Sequence, residues 1–531
     1  MSDEDRGNRP WSFGPAYLLM AGRAVGFAAT FFIPVVLARV FDQTEFGTYR
    51  QLFLVFTTLF ALAQLGMAES LYYFVPRASA GRRRFASNAV AVLGLSGLCC
   101  LAALWAGSEA IAGLFANPRL GPYLPLIGVY LALTLMSAPL EIVLVASGQH
   151  WRASAAYALS DVARAALLLS VGLVLGGLRG VLLGAIAHGV LRLVTTLGVV
   201  HGVPARDAAP RRGAILGEQL AYTIPFQLAI IVDTLIVNLH QYAVAYQFSA
   251  AVFAVYSVGC LQVPLVDFLA QSGGNVLMVG MSKAVHQGDQ EAARAIWHDT
   301  TRKLAMVFFP VAALLLLTAP DLIVLLFTER YQGSVPIFMI WLALLPLSAL
   351  QTDAVLRAYA QTRFLLVQNL ARLLFVAALL VPLLLGLGLA GAVLVTVLGN
   401  AFAKTMTLWH LRQMLGVPAS RVLPWRDLGR LALACALLAV PALAVRALLG
   451  GGPALSLVAT AVTFVGCALP VLSWMSLLDR ELVTRVTSLA RRFASACGRG
   501  RGRPRRGAAL HPGTPAPPAE KRKGDSRCVA S

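Results

Sequence analysis

Fourteen apolar runs, each long enough to cross a bilayer as a helix, constrain this 531-residue chain more than any other feature. They lie at about 13–39, 48–74, 86–107, 122–147, 153–176, 180–202, 215–239, 249–281, 304–326, 333–361, 364–386, 390–413, 428–448 and 454–478. A hydrocarbon layer ~30 Å thick needs about 20 mostly apolar residues of helix. No soluble interior of this size could take a chain that is 58% hydrophobic and 13% charged, where soluble domains carry about 25% charged residues. The expected class is therefore all-α integral membrane, and the short loops favour a compact bundle.

The net charge of +20 would suit nucleic acid only if it covered a folded face. Almost half of it, a net +9, falls from residue 491 onward in a Gly-, Pro- and Arg-rich tail. Such a tail is too poor in apolar residues to fold, and beyond Phe493 it has no Phe, Tyr or Trp to stack on bases. It is expected to be disordered and to lie near anionic headgroups of membrane lipids, with no nucleic-acid partner. Loops after even-numbered spans hold seventeen Lys or Arg and loops after odd-numbered spans six, which places both termini in the cytoplasm. The opening MSDEDRGNRP has neither a basic n-region nor a cleavage site, so no removable signal peptide is expected. Seven scattered cysteines form no CxxC or metal spacing, and neither a bound metal nor another cofactor is expected.

The chain also repeats itself. Phe46-Gly47-Thr48-Tyr49 recurs as Phe253-Ala254-Val255-Tyr256, and Ala63-Gln64-Leu65-Gly66 as Ala270-Gln271-Ser272-Gly273, both at an offset of 207. Weaker echoes follow in order: Pro139 with Pro346, Asp161-Val162-Ala163-Arg164 with Asn369-Leu370-Ala371-Arg372, and Gly177-Leu178-Arg179-Gly180 with Gly388-Leu389-Ala390-Gly391, at offsets of 207, 208 and 211. The offset equals six spans, an even number, so both copies cross in the same direction and are related by a pseudo-two-fold axis along the membrane normal. The expected organisation is a cytoplasmic N-terminus (1–12), an N-lobe of spans 1–6 (13–205) and a C-lobe of spans 7–12 (206–416). Two extra spans (417–480) and the basic tail (481–531) complete it.

The stretch LARVFDQTEFGTYRQLFLVFTTLFALAQLG resembles the opening of the polysaccharide-exporter branch of the multidrug/oligosaccharidyl-lipid/polysaccharide (MOP) superfamily, the Wzx-like O-antigen flippases. The amphipathic segment Lys283 to Lys303 after span 8 fits the same pattern, and the resemblance covers about residues 12–415. It implies two six-helix lobes around a central cavity that alternates between the two sides. Its cargo would be a polyprenyl-diphosphate-linked oligosaccharide, moved across a bacterial inner membrane for surface polysaccharide synthesis, with polysaccharide-assembly proteins as further partners. Gly22-Arg23-Ala24-Val25-Gly26-Phe27 also resembles a stretch in the first span of the lipid II flippases. On that resemblance Arg23 faces the cavity and meets the diphosphate.

Charges at membrane depth mark wet cavities or ion pairs whatever the family, because each costs roughly 2.5–3.5 kcal/mol at the centre of a span. Arg23 lies about ten residues into span 1. Arg164 has Asp161 three residues earlier as a local partner, whereas Arg372 has Asn369 in its place, which makes Arg372 the stronger phosphate candidate. Arg192 and Lys404 are also deep, with nothing local to set their role. Among the acids, Asp267 beside Pro264 is the first candidate for ion coupling, with Asp233 and Glu141 behind it; whether a proton, sodium or the membrane potential would drive turnover is left open. Asp353 and Arg357 are spaced as an i,i+4 structural pair.

Gly386-Leu387-Gly388-Leu389-Ala390-Gly391 matches GxGxxG but joins two membrane spans, so a tight apolar turn is expected rather than a dinucleotide site. No HExxH, GxSxG or Walker A run occurs, and no outer loop exceeds about fifteen residues. A membrane-embedded glycosyltransferase or polymerase usually needs a larger soluble loop. The expected function is thus a flippase and not an enzyme, the nearer alternative being a drug/cation antiporter of the same superfamily.

Overall fold

The computed structural model describes residues 14–77, 81–203, 212–449 and 451–475. The expected N-terminal segment 1–12 and the basic tail 481–531 lie outside the described residues.

Helices α1 (Gly14–Val40), α2 (Gln43–Ala63), α3 (Met67–Arg77), α4 (Arg82–Ala106), α5 (Ser108–Leu114), α6 (Leu124–Ser137), α7 (Pro139–Ala146), α8 (His150–Leu175) and α9 (Gly177–His201) occupy the first part of the chain. The second part continues with α10 (Arg212–Gln247), α11 (Ala250–Gly259), α12 (Pro264–His286), α13 (Gln290–Phe327), α14 (Val335–Trp341), α15 (Leu344–Ser348), α16 (Thr352–Ala358) and α17 (Thr362–Leu415). After these come the single-turn α18 (Ala419–Val422), then α19 (Trp425–Leu449) and α20 (Pro453–Trp474), which pack on α13. No strand occurs among the described residues, as expected of a chain whose backbone groups must be satisfied within lipid.

Ten helical stretches of the described residues are long and apolar enough to cross a membrane, against the fourteen runs expected. Spans 11 and 12 are fused in the 54-residue α17, whose one non-helical residue is Gly388 at φ 59°, ψ −136°. Span 8 is divided between α11 and α12 by the extended residues after Cys260. Span 1 coincides with α1, and span 7 lies within the longer α10, which runs on to Gln247. The GxGxxG stretch is indeed a turn between two apolar arms, made with no loop at all.

The repeat is visible in backbone geometry as well as in residues. Asp42 caps α2 by accepting the Glu45 N–H, and its counterpart Ser249 caps α11 by accepting the Val252 N–H. A 3-10 turn at Pro118–Tyr123 precedes α6, and another at Glu329–Ser334 precedes α14 in the second copy. Gln149 (φ −89°, ψ 58°) opens α8, and Gln361 (φ −82°, ψ 48°) opens α17 in the same way. Each follows a residue of positive φ, Gly148 at 77° and Ala360 at 56°.

The offset therefore drifts, from 207 between Asp42 and Ser249 to 212 between Gln149 and Gln361. This corrects two expected correspondences: Arg372 falls opposite Ser160, not Arg164, and Pro139 falls opposite Gln351, not Pro346. Most of the difference accumulates before the two 3-10 turns, where the long α13 of the second copy stands in for α4 of the first. Extra residues at a helix junction cost little, so the register slipped there.

Helices α2 and α11 approach closely where Gly47 lies on Ala250; a Cβ at position 47 would overlap the Ala250 carbonyl oxygen. Beside them the Phe46 ring meets Tyr331 edge-on at 5.8 Å. At the far end of the same seam, Tyr73 of α3 stacks on Tyr222 of α10 at 4.8 Å, and the Gln219 amide donates to Ser70.

Candidate functional site

Two ion pairs, related by the repeat, tie the broken fourth and tenth spans to the last helix of each copy. In the first copy the chain breaks at Ala138, and Pro139 restarts it as α7. Ala138 itself keeps helical angles (φ −57°, ψ −31°), and Glu141, 2% exposed in the first turn of α7, faces α9, where its Oε2 accepts from Arg192 Nη2 at 2.7 Å. Arg192 Nη1 donates to Ser160 Oγ of α8 at 2.7 Å, and Ser160 lies 3.3 Å from His188 Nε2. In the second copy Asp353 of α16 replaces Glu141 and lies 4.0 Å from Lys404 of α17, whose ammonium donates to Thr352 Oγ1 at 3.0 Å. Asn400 stands where His188 does, and Arg372 where Ser160 does.

Each cluster borders a cavity. The first, about 860 Å³, lies between α7, α8 and α9; Arg192, His188 and Ser160 line it, together with Arg152 and Gln149 at one end. The second, about 240 Å³, lies between α12, the α14–α16 segment and α17; Asp267, Gln351, Asn400 and Lys404 supply its polar wall. Both polar sets are incompletely satisfied. His188 Nδ1, Glu141 Oε1, and the Nε atoms of Arg192, Arg164 and Arg372 are buried with no hydrogen-bond partner among the described residues. A buried donor without an acceptor is costly, and it leaves these groups able to receive one.

The residues expected at the site are placed as follows. Arg23 is on α1, and its side chain lies outside the described residues; its neighbours Gly22 and Gly26 press on Ser154 and Asp161 of α8. Arg164 is held by Asp161 at 2.9 Å and donates to Thr30 Oγ1 at 2.5 Å, the local pair expected from the spacing. Arg372 is half-buried, makes no ion pair among the described residues, and is within electrostatic reach of Asp233 and Asp353. Asp267 is exposed in the first turn of α12, just after the break, and lines the smaller cavity. Asp233 is exposed on α10. Glu141 is engaged by Arg192.

The expected Asp353 to Arg357 pair does not form, because the short α16 directs Asp353 across to Lys404. Arg50, counted with the loop cations, instead stands on α2, half-buried and without an acidic partner among the described residues. The partnership of Arg192 and Lys404 with their acids escaped local inspection. Its signal was an acid and a base recurring together at one common offset, hidden by the drift of the repeat.

The family model described as polysaccharide biosynthesis protein matches residues 36–336, more than half of the chain. The chain belongs to the polysaccharide biosynthesis protein family. No curated protein matches it by sequence. In structure this family member is similar to a lipid II flippase, MurJ, in an inward closed conformation, with 12% identity and a TM-score of 0.68 over 89% of this chain and 100% of that one. It is also similar to an inward-facing multidrug resistance MATE transporter of the MOP superfamily, with 15% identity and a TM-score of 0.55 over 75% and 94% of the two chains. A MOP superfamily transporter from Pyrococcus furiosus matches at 17% identity and a TM-score of 0.53 over 76% and 94%.

The chain thus has the MOP fold, and these neighbours are flippases and transporters rather than enzymes. A match over 89% of the chain is longer than residues 1–415 can supply, so the likeness to the flippase extends into α19 and α20.

Proposed function

We propose that this protein is a flippase of the bacterial inner membrane that moves a polyprenyl-diphosphate-linked oligosaccharide toward the outer leaflet for surface polysaccharide synthesis, O-antigen being the closest class. The observation that carries this reading is the coincidence of a polysaccharide-biosynthesis family with a flippase-like fold that reaches past the twelfth span. Both termini face the cytoplasm, by the excess of cations on one set of loops.

Residues 13–205 and 206–416 act as two lobes that rock about the repeat axis. Basic side chains at depth take the diphosphate, while the polyprenyl tail stays in lipid. Arg372 is the best placed of them, since unlike Arg164 and Arg192 it makes no ion pair among the described residues and can meet a phosphate oxygen without giving one up. Arg23 and Arg164 assist, Arg164 only after yielding part of its hold on Asp161. Asp267, on the wall of the smaller cavity opposite Lys404, is the candidate for ion coupling, ahead of Asp233 and Glu141. Polysaccharide-assembly proteins would receive the cargo.

Deletion in a cell with no redundant transporter should leave lipid-linked sugar on the inner leaflet. Its arrival outside at an unchanged rate would end this proposal. Efflux of cationic dyes with glycan export unaffected would favour a drug/cation antiporter, and glycan elongation by the purified chain a polymerase.

A further inference from the structure

Three arginines converge where α13 meets the turn from α18 into α19. Arg294, Arg421 and Arg426 line one cavity of about 330 Å³ with His298, Ser420 and Trp425. None of the three is ion-paired among the described residues, and Asp427, next in sequence to Arg426, pairs with none of them. The frame around them is fixed. Trp297 Nε1 donates to the Val422 carbonyl at 2.9 Å, and His298 Nε2 lies 3.1 Å from the Arg421 carbonyl, so α18 is pinned to α13. Guanidinium groups gathered around so small a space repel one another unless an anion sits between them.

The depth of the cavity identifies that anion. Trp425 begins an apolar stretch, Trp425–Leu448, long enough to cross the membrane, so the cavity sits at the end of a span, at the level of lipid headgroups. Trp425 donates its ring N–H to the Ala419 carbonyl at 3.0 Å and leaves the rest of its ring half-exposed, at 52%. That posture is typical of an aromatic ring at the edge of the hydrocarbon layer.

We propose that this cavity binds the phosphate of an anionic phospholipid from the surrounding leaflet, fastening the foot of α19 to α13. The site is separate from the residues assigned to cargo and does not depend on the proposed function.

The test is native mass spectrometry of the full chain released from nanodiscs of equimolar dioleoylphosphatidylglycerol and dioleoylphosphatidylcholine. The native chain should retain the anionic lipid on the order of tenfold over the zwitterionic one. Arg421→Gln with Arg426→Gln should lower the preference several-fold, to the background left by the basic tail, Arg426→Lys should keep most of it, and Arg363→Gln, an exposed arginine outside the cavity, should leave it intact. Should the double variant not fold, Arg294→Gln alone must lower the preference several-fold. An unchanged preference in the cavity variants, or an equal loss in Arg363→Gln, overturns the site. Equal protection of the detergent-solubilised protein by inorganic phosphate and by short-chain phosphatidylglycerol overturns the assignment to a lipid.

Discussion

Glu141 and Arg192 are joined at 2.7 Å between α7 and α9, and in the second copy Asp353 and Lys404 occupy the same two places at 4.0 Å. The tighter pair is also the drier: the Glu141 side chain is 3% exposed and that of Asp353 49%. The first copy is therefore locked where the second is loosely held. Under the flippase proposal, the second lobe has the more pliable core.

Glu141→Gln should lower stability by about 2–3 kcal/mol, because the dry 2.7 Å pair is lost and Arg192, only 18% exposed, is left without its counter-charge. Asp353→Asn should cost less than about 1 kcal/mol, because the 4.0 Å contact is loose and its acid is half-exposed, although Lys404 is as covered as Arg192. Thermal unfolding of the two variants in the same detergent measures both, and a larger loss from Asp353→Asn would contradict the ranking.

Gly47→Ala should destabilise the chain by about 1–3 kcal/mol and depress export, since the added methyl overlaps the Ala250 carbonyl. Gly217→Ala is the control: nothing stands within 4 Å of its Cβ position, and an exposed helical glycine replaced by alanine should gain about 0.5–1 kcal/mol. Melting temperatures that move in the same direction would refute the close approach of α2 and α11.

Arg372→Gln should lower export at least about tenfold, as expected for loss of a charge-assisted contact to phosphate, while the melting temperature changes little. Arg164→Gln should show the reverse order of effects, because it leaves Asp161 without its partner. Parallel assays of glycan export and unfolding separate the two; a stability loss from Arg372→Gln as large as that from Arg164→Gln would remove Arg372 from the cargo path.

Ala360→Gly should stabilise the chain by about 0.5–1 kcal/mol, since alanine at φ 56° carries left-handed strain that exceeds the entropy glycine adds to the unfolded state. Its counterpart Gly148→Ala, at φ 77°, should lose a similar amount. Denaturant titration in mixed micelles reads both.

The helices were legible in the sequence because lipid leaves an apolar run few alternatives, and α8 and α9 lie close to their expected spans, whereas α13 starts at Gln290 and fuses most of the expected amphipathic segment to span 9. The pairing of charges was less so. Arg164 could be matched with Asp161 because the two share one helix face, but Arg192, 51 residues on from Glu141, meets it only once α7 and α9 pack together. Asp353 went astray for the same reason: the sequence shows Arg357 four residues away, whereas Lys404 comes near only by folding. Local spacing records i,i+4 neighbours, and cross-helix partners need a correct register between copies.

Gly176, at φ 72°, and Gly388, at φ 59°, turn the chain between paired spans without an intervening loop. A corner with no slack does not let one arm slide along the other. The register between the two arms of each corner is therefore set at the glycine itself, and the faces that α8 turns to α9, and the first arm of α17 to its second, are fixed as matched pairs.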